Sequence, residues 1–218
     1  MPDGGREKES IMRSFTTRSA RRAYALLSLM TAIVFIGGFV AVSRKAEAPV
    51  ADLSNNETRM ALTLTSPAFE DGGVIPSEYT CDGANVNPEL RIGGVPEGTR
   101  SLVLVMDDPD IPESVKQARG IDVFDHWVLY DIPPTTDSIP KGAPVGTAGL
   151  NGLGVAGYAG PCPPDREHRY IFRLYAVSGT LEFVKAPSLK EVEDAAKGMA
   201  IESATLIGRY NRPVNVTK

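Results

Sequence analysis

Short apolar segments of strand length, separated by turns rich in glycine and proline, dominate the chain after residue 60. Residues 101–106 form a nearly continuous apolar run, which is typical of a strand buried on both faces. Further strands are predicted over 62–64, 124–132, 169–177 and 201–210. The 17 prolines and 21 glycines favour many turns over long helices. We therefore predict an all-β fold: a two-sheet antiparallel sandwich with Greek-key-like connections and minor helix.

One clear helix is predicted near the C-terminus. Ser188 and Glu191 have the spacing of a capping box, and apolar residues continue the helical pattern as far as Met199. Residues 141–160, by contrast, hold seven glycines and are predicted to form a long open loop. A loop of that length inside a compact domain is usually either functional or disordered.

The N-terminal region predicts a membrane anchor. Residues 23–42 carry no charge, and twenty helical residues are long enough to cross a bilayer core. Six positive charges precede this run and two follow it closely, which places the N-terminus in the cytoplasm and the body outside. The alternative is a cleaved secretory signal, with residues 46–48 as its cleavage site, but the run is longer than the usual apolar core of such signals. We favour the anchor, and both interpretations export the body.

These observations divide the chain into four parts. We predict a basic cytoplasmic tail over 1–22, a transmembrane signal-anchor over 23–43, a linker over 44–60 and a globular β-sandwich domain over 61–218. The tail carries six positive and three negative charges, a net +3, so the remainder of a chain of net charge −4 carries −7. An acidic body without a basic stripe argues against nucleic-acid binding.

Three polar groups interrupt the apolar pattern. The acidic segment 107–112 directly follows the buried strand, His126 lies within another strand, and a Gly/Pro-rich segment over 157–170 leads to His168 and Tyr170. Since side chains alternate along a strand, His168 and Tyr170 share one face. Taken singly, each group is more often a turn or a core residue than a ligand-binding residue. Because the chain has only two histidines, the three groups together indicate a shared pocket.

The same residues resemble the phosphatidylethanolamine-binding protein family, in particular its bacterial and archaeal YbhB/YbcL, or Raf-kinase-inhibitor-like, branch. The resemblance covers about residues 61–212, so the predicted tail and anchor lie outside it. Its motifs are Asp108-Pro109-Asp110-x-Pro112, His126-Trp127, Gly160-Pro161-x-Pro163-Pro164 and His168-Arg169-Tyr170, with similar segments at 79–83, 88–90, 94–99 and 151–158.

The resemblance implies a β-sandwich with a small pocket at one end for phosphate-like groups, including phospholipid headgroups. Imidazole, phenol and backbone N–H groups can all donate to phosphate oxygens, and a carboxylate can orient an imidazole or pair with an ethanolamine ammonium group. Asp110 would shape the adjacent loop, and Trp127 would be a wall or core residue that alternates away from His126. Carried onto this chain, the ligand-binding residues would be Asp108, Asp110, His126, Gly160, Pro161, His168 and Tyr170.

Two features depart from the family pattern. The chain stops soon after residues 211–213, where eukaryotic members carry a helix beside the pocket, so the resemblance assigns no element to the fourth side of the pocket. Residues 113–121 resemble a local insertion or variable loop.

The two cysteines, Cys81 and Cys162, lie in two of the matched segments. An exported domain favours a disulfide between them, which would hold in place the Gly/Pro-rich segment 157–170, called here the lip of the pocket. The alternatives are two buried thiols, a catalytic cysteine, or zinc bound by both cysteines and both histidines, although no ligand pair has the close spacing of most zinc sites.

The function these observations favour is a membrane-anchored, exported binding protein without a cofactor or catalytic residue. Its partner would be a phosphate-bearing small molecule or a phospholipid headgroup. The alternatives are an exported inhibitor of serine proteases, a phosphoester hydrolase using histidine and aspartate, and a metal site of two histidines and one aspartate.

Overall fold

The structure is a computed structural model that describes residues 60–213. The predictions for the tail, the anchor at 23–43 and most of the linker therefore lie outside the described residues. Within 60–213, every helix is too short or too polar to cross a membrane.

The described part of the chain is mostly β, with two α-helices and a short 3₁₀ turn at Ser77–Tyr79. The elements in chain order are β1 (Thr63–Thr65), β2 (Gly73–Val74), β3 (Leu90–Gly93), β4 (Ser101–Asp108), α1 (Glu113–Arg119), β5 (Phe124–Ile132), β6 (Ser138–Ile139), β7 (Thr147–Ala148), β8 (His168–Val177), α2 (Leu189–Met199) and β9 (Ala200–Tyr210).

Two sheets form the architecture, as predicted. The smaller has the order β1-β3-β6 and the larger the order β2-β9-β8-β4-β5-β7. All of these pairings are antiparallel except β2 with β9, which is parallel. The expectation of a purely antiparallel sandwich is therefore wrong at this edge, where β2 contributes only two residues.

The central strand β4 explains the continuous apolar run. Leu104 and Met106 pack into the core shared by the two sheets, whereas Val103 and Val105 face the opposite side and pack under α2. Every residue of the strand is buried, so the prediction of a strand covered on both faces is confirmed. The strand ends at Asp107 and Asp108, whose carboxylates lie on these two different faces.

Helix α2 begins with the capping box expected from the sequence. The Ser188 Oγ accepts from the Glu191 N–H, and Glu191 Oε2 accepts from the Ser188 N–H at 2.8 Å. Val192 and Ala196 are buried one turn apart, so α2 covers the outer face of the large sheet.

The segment expected to be an insertion or variable loop forms helix α1. Pro112 precedes its first residue and Gly120 ends it in the left-handed conformation, with φ of 65°. None of its residues is buried, which explains why no apolar period marks it in the sequence.

The glycine-rich segment 141–160 is held by backbone and amide hydrogen bonds. Its strand β7 pairs with β5, and Asn151 both accepts from the Leu153 N–H and donates to the Gly157 carbonyl oxygen. The Ala159 N–H donates to the His126 carbonyl oxygen at 2.8 Å. These contacts place the end of this segment against β5, where it forms one wall of a cavity.

Candidate functional site

A cavity of about 490 Å³ lies where β4, β5 and β8 reach one end of the large sheet. Its polar lining includes Asp108, His126, Gly160 and His168, four of the residues predicted for the pocket. Its apolar walls include Ile111 from the loop after β4, Val115 from α1, Phe124 from β5 and Leu153 from the glycine-rich segment. The structure thus brings Asp108 against His168, which is 60 residues later in the sequence.

Three of the predicted residues stand beside this cavity and do not line it. Tyr170 is fully buried and packs edge-on against the His126 ring, with centroids 5.1 Å apart. Pro161 accepts from the Cys81 N–H through its backbone oxygen. Asp110 is turned toward Arg169 and braces the loop after β4.

A β-bulge turns His126 toward the cavity. Met106 pairs with Trp127 and Asp107 pairs with Asp125, so the register skips His126. The His126 ring consequently packs against Phe124 and Tyr170 on the pocket side, while Trp127 enters the core behind it. Trp127 is a core residue as expected, but the strict alternation used to predict its direction is wrong at this position.

The His126 ring is held in one tautomer by the chain. Its Nδ1 lies 2.6 Å from the Ala159 carbonyl oxygen, and because a carbonyl only accepts, Nδ1 carries the hydrogen. Burial lowers the pKa of His126 to about 4, since the charged ring would lose its hydration. At neutral pH the ring is therefore neutral, and its Nε2 is the nitrogen left to meet a ligand.

His168 is bonded at both ring nitrogens by carboxylates. Its Nδ1 lies 2.7 Å from Asp108 Oδ2, and its Nε2 lies 2.8 Å from Asp165 Oδ1. Because carboxylates accept hydrogen bonds, both ring nitrogens are placed to donate. Asp165 was not predicted from the sequence, although its position three residues before His168 in the lip was a signal that could have identified it.

Asp108, the last residue of β4, and Asp110, in the loop that follows, have different environments. Burial raises the pKa of Asp108, and the hydrogen bond from His168 opposes that rise. Hydrogen bonds from Arg169 lower the pKa of Asp110 to about 2. Arg169, on β8, donates to both carboxylate oxygens of Asp110 at 2.8 Å. This ion pair therefore attaches the loop after β4 to β8.

The lip over the cavity is fixed by close contacts. Gly160 donates its N–H to Asn85 Oδ1 at 2.8 Å, and a Cβ at this position would lie 2.5 Å from the same oxygen. Cys81 and Cys162 form a disulfide in the structure and both line the cavity. The Gly160 N–H therefore already donates to a side chain of the protein. Asn85 is a second residue of the site that was not predicted from the sequence.

The Tyr170 hydroxyl is buried and has no hydrogen-bond partner among residues 60–213. Burial raises the pKa of this phenol, and the nearby Asp108 carboxylate raises it further. The hydroxyl is therefore protonated at neutral pH and is a donor behind the His126 ring.

For metals, residues 60–213 contain no group of three or more His, Cys, Asp or Glu side chains placed to hold an ion.

Comparisons with known proteins agree with this architecture. A family model described as Phosphatidylethanolamine-binding protein matches residues 65–211. A UPF0098 protein of Methanothermobacter thermautotrophicus is 40% identical over 158 residues, which span 69% of this chain and 99% of that relative. A UPF0098 protein of Aquifex aeolicus is 42% identical over 160 residues, or 69% of this chain and 89% of the relative.

Two solved structures resemble the fold. A phosphatidylethanolamine-binding protein homologue from Chlamydia trachomatis superposes with a TM-score of 0.65 at 36% identity, covering 70% of this chain and 99% of the homologue. YbcL of E. coli gives a TM-score of 0.63 at 27% identity, covering 71% of this chain and all of YbcL. Given the sequence match over most of the β domain and its shared fold, the chain belongs to the phosphatidylethanolamine-binding protein family.

Proposed function

We propose that this protein binds a phosphate-bearing ligand, either a small molecule or a lipid headgroup, in the cavity between His126 and His168. The observation that carries the proposal is that both histidines of the chain line this one cavity, beside a buried aspartate. A buried imidazole donor is suited to phosphate oxygens, because a charge-assisted hydrogen bond is strong in a site shielded from water.

The residues would have distinct roles. His168, oriented by Asp108, would donate from Nε2 to a phosphate oxygen. His126 would meet the ligand with its unprotonated Nε2, which can accept from a protonated phosphate oxygen or an ammonium group. The apolar walls at Val115, Phe124 and Leu153 would exclude water around these contacts.

The proposal includes export and anchoring. It rests on the uncharged run at 23–42, and the disulfide between Cys81 and Cys162 supports an oxidising compartment for the domain. Membrane fractionation in the native host tests it. The full-length chain should resist extraction at alkaline pH, and its domain should be accessible to protease from outside. A chain released into the cytosolic fraction would contradict this part of the proposal.

Thermal melting of the full-length chain tests the binding function. Inorganic phosphate and phosphoethanolamine should each raise the melting temperature with concentration. At 100 times Kd, saturation stabilises the native state by about 2.7 kcal/mol. The His168→Gln variant should lose the effect, whereas Glu167→Gln, which alters an exposed lip residue, should keep it.

Failure of both compounds to stabilise the wild-type chain at any concentration would contradict phosphate binding. Stabilisation that is unchanged in His168→Gln would place the ligand outside this cavity. An assay with a generic phosphomonoester, run in parallel, would detect hydrolysis.

A further inference from the structure

The phosphate site proposed above is already occupied by an anion of the chain. The Nε2 of His168 points to the Asp165 carboxylate at 2.8 Å, and this is the nitrogen that would donate to a phosphate oxygen. His168 has no other ring nitrogen to offer, because Nδ1 donates to Asp108. A ligand anion and Asp165 therefore compete for one donor.

The two carboxylates that flank His168 differ in how firmly they are held. The Asp108 side chain is only 4% exposed and also accepts from the Asp110 N–H, so it is fixed at the end of β4. The Asp165 side chain is 39% exposed and lies in the lip between β7 and β8. Asp165 is therefore the carboxylate that can leave while the pocket remains intact.

Arg166 holds Asp165 in place from the solvent side. Its Nη1 donates to Asp165 Oδ2 at 2.7 Å, and its Nη2 donates to the Asp110 backbone oxygen at 3.0 Å. The hydrogen bond from His168 lowers the pKa of Asp165, so this carboxylate stays charged at neutral pH. The contact thus persists in the absence of a ligand.

We propose that Asp165 is a built-in competitor that sets the affinity threshold of the pocket. A phosphate group binds by replacing the Asp165 carboxylate on His168 Nε2, and the side chains of Asp165 and Arg166 turn outward. Every anionic ligand must displace the Asp165 carboxylate from His168, at the same cost in free energy. Anions that bind His168 only weakly are therefore excluded. This inference rests on the proposed phosphate-binding function and specifies how it is regulated.

Calorimetric titration of the full-length chain tests the inference. Wild type, Asp165→Asn and Glu167→Gln are each titrated with inorganic phosphate and with phosphoethanolamine. Asp165→Asn should tighten binding of both by about tenfold, the order of one charge-assisted hydrogen bond. Glu167→Gln removes the same charge from the same lip without touching His168, and should bind within about twofold of wild type.

The outcomes separate the two proposals. If wild type binds phosphate and Asp165→Asn binds it no more tightly, the competitor role is wrong and the binding function stands. An equal gain in Glu167→Gln would also overturn it, since the effect would then come from general surface charge. If none of the three proteins binds either compound, the binding function fails and the competitor role fails with it. A gain confined to phosphoethanolamine would contradict a competitor that acts on the phosphate group.

Discussion

Asp107 and Asp108 are neighbours in the sequence, yet their carboxylates serve opposite faces of the large sheet. Asp108 lies on the pocket face, where its Oδ2 accepts from His168. Asp107 lies on the helix face beneath α2, where its Oδ2 accepts from both Nη atoms of Arg173 at 2.7 Å. One strand end therefore supplies a carboxylate to an imidazole on one side of the sheet and to a guanidinium group on the other.

The helix face also has a cavity, and it is larger, at about 810 Å³. Arg173 bridges Asp107 and Glu193 there, and Lys197 binds Glu193 at 3.0 Å. The side chains of this cavity thus bind mainly to one another. Cavity size alone would select the helix face, whereas the chemistry of the groups and their freedom to exchange partners favour the pocket face for the proposed ligand.

The helix face also carries an excess of negative charge. Asp125 is the cross-strand partner of Asp107, and carboxylates opposite one another repel. Burial and the charges of Asp107 and Glu193 together raise the pKa of Asp125 to about 6, although the Leu189 N–H donor opposes the rise. On the pocket face, burial instead lowers the pKa of His126 to about 4. The stability contributed by Asp125 and that contributed by His126 therefore respond to pH in opposite directions.

The largest expected effect concerns the disulfide, which pins the pocket face alone. Replacing both cysteines, Cys81→Ser with Cys162→Ser, should reduce the free energy of unfolding by about 4 kcal/mol, because the bridge closes a long loop. The bridged residues are 81 apart in the sequence. Denaturant unfolding measures the loss, and reduced wild type is the matched control. Unchanged stability in the double variant would show that tight packing alone holds the lip.

Next in size is the pH dependence of the pocket face. Since the folded pKa of His126, about 4, is below its unfolded value of about 6.5, the unfolded chain binds more protons between these values. Stability from this residue should fall by up to about 3 kcal/mol as pH drops from about 6.5 to 4.

The His126→Gln variant should lack this component. Unfolding free energies of the two proteins, measured across pH 4 to 8, should differ by an amount that varies with pH. A difference independent of pH would mean that the pKa of His126 is the same in the folded and the unfolded chain.

The smallest expected effect is the pH dependence of stability due to Asp125 on the helix face, and its sign is opposite to that of His126. The raised pKa of Asp125 favours its neutral form in the folded chain, so the stability it contributes is lost as pH rises from about 4 through 6. Asp125→Asn should therefore stabilise the protein at pH 7 by about 1 to 2 kcal/mol, a figure reduced for its partial exposure.

That gain should vanish near pH 4, where Asp125 is neutral in the wild type. Asp122→Asn, at an exposed position of the same cavity, is the control and should change stability by less than about 0.5 kcal/mol. Destabilisation by Asp125→Asn at pH 7 would show that neighbouring groups stabilise the charged Asp125 carboxylate. The expected contrast between the pH dependences of Asp125 and His126 would then be wrong.

Local pattern was sufficient for much of the fold. The apolar run predicted β4 and its burial on both faces, and the capping box predicted the start of α2 at Ser188. Both features depend on residues that are close together in the chain, so the apolar run and the spacing of the capping box can be recognised in the sequence alone. Helix α1 was missed because none of its side chains is buried, and an exposed helix leaves no apolar period.

The sequence by itself identified Asp108, His126, Gly160 and His168 as residues that share a pocket, through their residue types and their resemblance to a family. Only the tertiary structure decided how they act. The bulge that turns His126 inward depends on the register of β5 against β4, and a register is a property of two strands. The Asp165 contact with His168 and the use of the Gly160 N–H by Asn85 depend likewise on how the lip folds back. Residue types determine which bonds can form, whereas the packing of distant segments determines which bonds do form.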